Sequence, residues 1–224
     1  MALSRSLDHV VKFLGCQFIS RFTAVILMEY CPYTLDSYIA QVAQVEYDTR
    51  RKIDLCFDCI EVLTCLSKGL KVVHSDIKAN NLFVNAKAKC VVGDFGRVMN
   101  ITNGDVFRDA SSTKSASTWS PKHYHIHKLN RSVFGDPRVD LFSMVWCILL
   151  IVLGRDDGGV LTGIKRTKRV DIGACVSVCG ERFVRLLEFC KQVLESDDEI
   201  QVDYICKMRE CVYDAMAWDV VKSQ

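Results

Sequence analysis

Hydrophobic and polar positions along this chain fall into runs of different period. Val10 to Leu14 and Ala24 to Met28 are short apolar runs that read as strands. The second is unbroken, which predicts burial on both faces. The polar stretch from Gln17 to Thr23 reads as the hairpin joining them. Pro32 interrupts the pattern, and Leu35, Ile39 and Val42 restart it at helical spacing. Between Tyr47 and Leu70, positions such as Ile53, Cys56, Ile60, Leu63 and Leu66 keep one helical face, with Gly69 as the expected cap. Val72-Val73, Leu82-Phe83-Val84 and Cys90-Val91-Val92 are very short strands. Gly96 to Thr118 is polar and serine-rich, which predicts a mobile loop. Phe142 to Leu153 is apolar except for Ser143. That is too short for a bilayer, which takes about 20 residues. It reads as a core helix, with Asp140 placed to cap it. Phe183, Leu186, Leu187, Cys190 and Leu194 put the last part of the chain in helices that share an apolar face.

Composition narrows the class. At 224 residues, half hydrophobic and a quarter charged, the chain can bury a sizeable core. A net charge of +2 gives no reason to expect a nucleic-acid or membrane partner. The basic pairs Lys165-Arg166 and Lys168-Arg169 read as solvated surface. Twelve cysteines are scattered, mostly within apolar runs. Cys56 and Cys59, and Cys175 and Cys179, lack a second pair at zinc-finger spacing, so they read as small buried hydrophobes in a reducing compartment. His123, His125 and His127 would share one side of an extended segment. No carboxylate or cysteine nearby completes a metal site, so a surface loop is the simpler reading. The first residues hold no signal-peptide core. The expected location is intracellular: the cytoplasm, with the nucleus left open.

The chemistry is concentrated in His74-Ser75-Asp76-Ile77-Lys78-Ala79-Asn80-Asn81, followed thirteen residues after Asn81 by Asp94-Phe95-Gly96. Together these resemble the catalytic and metal loops of protein kinases, H-R-D-L-x-x-x-N and D-F-G. Ser75 stands for the arginine and Ile77 for the leucine. The resemblance extends outward. Leu7 to Cys16 is similar to a kinase's fourth strand and its approach. Ala24 to Tyr30 is similar to the fifth strand, with Met28 at the gatekeeper and Glu29-Tyr30-Cys31 at the hinge. Val139 to Ser143 is similar to the start of the central helix of the carboxy-terminal lobe. The loop from Asp76 to Phe83 is also similar to that of the translation-initiation-factor kinases.

The resemblance implies an α+β kinase-like fold. Residues 1–30 would be part of the amino-terminal lobe, holding strands four and five, and residues 31–224 the carboxy-terminal lobe. It implies ATP and Mg²⁺ as cofactors and a protein substrate. Asp76 would handle the proton of the substrate hydroxyl, and Lys78 would steady the phosphoryl group in the serine/threonine manner. Asn81 and Asp94 would hold metal. Glu29, Cys31 and Phe83 would line the nucleotide. His74 would pack beneath Phe95.

Other family parts do not occur in the sequence. It contains no G-x-G-x-x-G loop, no V-A-I-K lysine and no helix with the lysine's glutamate partner. The resemblance therefore implies an amino-terminally truncated family member. Lys12 reads as a solvent-facing side chain rather than a substitute. Ser75 cannot read a phosphorylated loop as arginine does by bidentate contact. Ser120-Pro121-Lys122 replaces A-P-E, and neither Ile200 nor Gln201 supplies the arginine that pairs with its glutamate. With both ends of that ion pair changed, the lobe can still fold. Two functions follow. One is a serine/threonine kinase, transferring phosphoryl groups from ATP to protein hydroxyls, that is weak or depends on a partner because the amino-terminal lobe is truncated. The alternative is an inactive decoy whose exposed apolar surface captures a full-length kinase.

Overall fold

The computed structural model describes residues 8–41, 48–100, 138–155, 158–167, 169–195 and 203–222. The chain enters through a two-stranded antiparallel ribbon, β1 (Phe13–Ser20) and β2 (Thr23–Met28), in which Cys16 faces Ile26 and Gln17 faces Val25. This differs from the sequence reading in three ways. Val10 and Val11 lie outside β1 and bond instead to β6, introduced below: the Val11 N–H donates to the Val92 carbonyl at 2.9 Å. Gln17 to Ser20 belongs to the strand rather than the hairpin, because ladder bonds use main-chain groups whatever the side chain. The turn is Arg21-Phe22 alone. Finally, every residue of β2 is exposed rather than buried on both faces. Among the described residues β2 pairs only with β1, and nothing covers either side of the ribbon.

Below the ribbon, β3 (Tyr33–Thr34) leads into α1 (Leu35–Gln41). The helix starts there because Thr34 and Ser37 cap each other: the Ser37 N–H donates to Thr34 Oγ1 at 3.1 Å, and the Thr34 N–H donates to Ser37 Oγ at 2.9 Å. Leu35 and Ile39 face the core. Helix α2 (Thr49–Thr64) begins at Asp48, whose carboxylate accepts the Arg51 N–H at 2.7 Å. It runs on into one wide π-helical turn, Cys65–Leu70. That turn shifts the hydrogen-bond register by one residue. The left-handed cap therefore falls on Lys71 (φ 54°), which donates its N–H to the Leu66 carbonyl, and not on Gly69.

Strand β4 (Val72–Val73) pairs with β7 (Met99–Asn100), and β5 (Leu82–Val84) lies between β3 and β6 (Cys90–Val92). These two small sheets hold the ends of the loop that carries the chemistry. Helix α3 (Arg138–Leu153) is apolar all round and buried on nearly every side, as such a helix must be in water. It packs on α2, α4 (Val160–Thr167), α5 (Ile172–Cys179) and α6 (Val184–Glu195). Lys52 of α2 donates to the Val152 carbonyl at 2.8 Å, satisfying a last-turn acceptor of α3. Helix α7 (Tyr204–Lys222) closes the bundle against α2 and α6.

Phe183, Leu186, Leu187, Cys190 and Leu194 are all buried. All twelve cysteines are free thiols; seven are buried and Cys16 is exposed on the ribbon. Among the described residues no helix is long and apolar enough to cross a membrane. Val42, residues 101–137 with their serines and histidines and Ser120-Pro121-Lys122, Lys168, Ile200 and Gln201 lie outside the described residues.

Candidate active site

The loop from His74 to Asn81 runs between β4 and β5, and its backbone is fixed from beneath. Asp140, buried in the first turn of α3, accepts the His74 N–H at 2.6 Å on one carboxylate oxygen and the Ser75 N–H at 2.8 Å on the other. The sequence reading had this aspartate capping its own helix. The described helix instead begins two residues earlier, at Arg138, and the carboxylate serves the loop. Ser75 needs that anchor, because its φ of 64° is left-handed, a conformation costing about 1–2 kcal/mol for a residue other than glycine. The Ser75 hydroxyl is buried with no hydrogen-bond partner among the described residues.

Asp76 is the hub of the loop. Lys78 Nζ donates to Asp76 Oδ2 at 2.9 Å, and Asn81 Nδ2 donates to the same oxygen at 3.0 Å and to the Asp76 carbonyl at 2.9 Å. Arg97, which the sequence reading did not single out, stands 3.9 Å from Asp76 Oδ1. The Asn81 amide nitrogen is thus committed to Asp76, and its Oδ1 has no hydrogen bond to another described residue.

Asp94 is placed by the strand next door. At the end of β6 the Gly93 N–H donates to the Asn81 carbonyl at 3.0 Å, which sets Asp94 beside the loop. Its φ of 61° is left-handed, and its side chain is exposed with no hydrogen bond or ion pair to another described residue. Gly93 itself has no room for a side chain: a Cβ there would come within 2.9 Å of the Phe83 ring and 3.0 Å of Val11. Phe83 is half-buried on β5, and its strand partner Thr34 follows closely on the 29–31 segment. Glu29 donates its N–H to the Lys12 carbonyl at 2.9 Å. Cys31 is half-buried, and burial followed by the nearby Glu29 and Cys90 pushes its thiol pKa up. The structure thus joins Asp76, Lys78 and Asn81 directly, ties Asp94 to them through one main-chain bond, and connects Phe83 to Asp94 through Gly93. Among the described residues Glu29 and Cys31 make no bond to the loop; Glu29 bonds to Lys12, and Cys31 lies near Cys90 of β6.

Two further residues stabilise this arrangement. Asp58 of α2 is buried and accepts the Cys90 N–H at 2.9 Å and Lys89 Nζ at 3.2 Å, so it fixes the start of the strand that ends at Asp94. His74 lies under Phe95, with ring centroids 5.2 Å apart. Its Nε2–H donates to the Gly93 carbonyl at 3.0 Å, and its Nδ1 accepts the Asp76 N–H at 3.3 Å. That pairing requires the neutral ring. Burial lowers the His74 pKa, outweighing the opposing pull of the Gly93 carbonyl, Asp76 and Asp94. Because the folded pKa lies below the unfolded one, stability is complete above the unfolded value of about 6.5 and falls as pH drops below it. Urea midpoints measured across this range should decline on the acid side. His74→Gln should flatten that part of the profile.

The sequence profile of the family described as "Protein tyrosine and serine/threonine kinase" matches residues 1–133, which include the loop from His74 to Asn81 and Asp94 but not the anchoring Asp140. The chain belongs to the eukaryotic-type serine/threonine protein kinase family. Its helices and small sheets form the α+β kinase-like fold that the resemblance implied. The chain is similar to the serine/threonine-protein kinase STE7 homolog of Candida albicans, with 30% identity over 102 residues, or 45% of this chain and 17% of that kinase. It is also similar to the serine/threonine-protein kinase dst4 of Dictyostelium discoideum, with 31% identity over 88 residues, or 39% of this chain and 18% of that kinase. The matches thus span less than a fifth of these kinases' length.

Proposed function

We propose that this kinase-family site transfers the γ-phosphoryl group of ATP to a serine or threonine hydroxyl of a protein, using Mg²⁺, and that these 224 residues do so weakly unless a partner surface outside them completes the nucleotide clamp. The observation that carries the reading is the carboxylate of Asp76, held by Lys78 and Asn81 with Asp94 set beside them. The donor chemistry fits the metal. The carboxylate of Asp94 and Oδ1 of Asn81 are hard oxygens, uncommitted to other described residues, and Mg²⁺ takes one or two such protein ligands alongside phosphate oxygens. When bound, the ion neutralises the nucleotide's phosphate charge. Asp76 orients the attacking hydroxyl and accepts its proton. Lys78, already on Asp76, offsets charge on the phosphoryl group in transit. Phe83 serves as the floor beneath the base, and the backbone of Glu29 and Cys31 as its edge contacts.

A partner enters the proposal because these 224 residues contain neither a G-x-G-x-x-G loop nor a V-A-I-K lysine, and an active kinase holds its lysine–glutamate pair in place. The exposed ribbon favours a second reading: a decoy that binds a full-length kinase and inhibits it. Isothermal titration of MgATP into this chain is expected to give a dissociation constant of roughly 0.1–10 mM. Micromolar or tighter binding would contradict the need for a partner. No binding at millimolar MgATP, together with reduced turnover of an active kinase on mixing, would establish the decoy instead.

A further inference from the structure

The ribbon departs from the usual design of exposed sheet edges. Natural edge strands are short, charged, bulged or covered. β2 is none of these: Thr23 to Met28 is uncharged, regular and exposed along its whole length. The irregularities in the β1–β2 ladder fall on the β1 side, where an extra residue separates Phe13 from Gly15 and Phe18 from Ser20. The outer edge of β1 is thereby disrupted, while that of β2 stays suited to pairing. The Glu29 N–H points to Lys12, toward β1. Bonding direction alternates along an antiparallel strand. The main-chain groups of Ala24, Ile26 and Met28 therefore point to the open edge, and among the described residues nothing meets them.

Charge selects the occupant. Between Phe13 and Met28 the only charged residue is Arg21, and Glu29 follows directly after β2. The apolar strand is thus bracketed by a cation at one end and an anion at the other. We infer that β2 pairs antiparallel with β2 of a second copy of this chain about a two-fold axis at Val25, making a four-stranded sheet in which Arg21 of each copy meets Glu29 of the other. In this register Ala24 faces the partner's Ile26 as a hydrogen-bonded pair, which is what the outward direction of both residues requires. Phe22, 90% exposed in the single chain, comes opposite the partner's Met28. Thr23 faces the partner's Leu27, and Val25 faces its own copy across the axis. The contact is self-complementary and closes on itself, so it stops at two copies. It is independent of phosphoryl transfer.

Sedimentation velocity of the full chain over roughly 1–200 µM tests this. The expected result is a monomer–dimer equilibrium with no larger species. Arg21→Glu or Glu29→Arg alone sets like charges opposite at both ends of the sheet and should raise the dimer dissociation constant about tenfold. The double reversal should return it to within about threefold of the original. Val25→Lys, which puts two ammonium groups on the axis, should leave only monomer. All three substitutions lie on the exposed ribbon or at its end, and far-UV circular dichroism checks that the fold is retained in each of the four variants. A monomer at every concentration overturns the inference, and so do open-ended aggregates or a double reversal that fails to rescue. Association only with the domain of a different kinase also overturns it, since the same edge would then belong to a foreign strand.

Discussion

Asp140→Ala should cost this chain roughly 2–6 kcal/mol of stability, because two buried N–H groups lose their acceptor together at about 1–3 kcal/mol each. His74 and Ser75 donate to the two oxygens of one carboxylate, and all three residues are buried from water. The loss should reach the site as well. Without the anchor, the left-handed turn at Ser75 has less to hold it, and Asp76 is the next residue. Asp140→Asn keeps the shape but offers one acceptor oxygen instead of two, so its loss should be smaller. Urea unfolding of the three proteins measures this directly. Equal stability of all three would mean that the loop is held by something else.

The second large effect concerns the proposed chemistry. With the required partner present, Asp76→Asn is expected to reduce transfer to a serine/threonine peptide by roughly 10²–10⁴-fold, the usual contribution of a positioned proton acceptor. Asn can still accept from Lys78 and Asn81, so the fold should survive while the proton acceptor is lost. Asp94→Ala should remove activity by a different route, the loss of a metal ligand. Asp94 is exposed and makes no hydrogen bond or ion pair to another described residue, so Asp94→Ala should keep the fold with a small loss of stability, alanine tolerating the left-handed φ less well than aspartate, and Asp94→Gly should be neutral or slightly stabilising. Activity that survives Asp94→Ala would come from a contaminating kinase.

The residues in contact within the loop were legible because the sequence itself brings them together. Asp76, Lys78 and Asn81 lie within one short turn, and their hydrogen bonds are local. The long-range supports were not legible. Asp140 precedes an apolar helix, where a carboxylate ordinarily reads as a cap; that it serves a loop 65 residues earlier depends on tertiary packing. A signal did exist for Asp58, which shares helical spacing with buried Leu55, Cys59 and Val62 and so lies on an apolar stripe where a carboxylate needs a partner. The continuous apolar run of β2 implies burial on both faces, as such runs usually do. The pattern of a strand records that it can be covered, but not what covers it. At the end of α2, Gly69 was the natural cap by residue type. A π-helical turn moved the left-handed position to Lys71, and nothing in the apolar spacing marks such a turn.

The central claim is that Asn81 and Asp94 grip the metal of a bound nucleotide beside Asp76. Paramagnetic broadening by MnATP tests it residue by residue in the NMR spectrum of this chain. The account predicts that the side-chain amide of Asn81 and the backbone amides of Gly93 and Asp94 broaden first, and that Asp94→Ala abolishes the effect while MgATP competes it away. Broadening centred elsewhere on the molecule, or unchanged in Asp94→Ala, would contradict it.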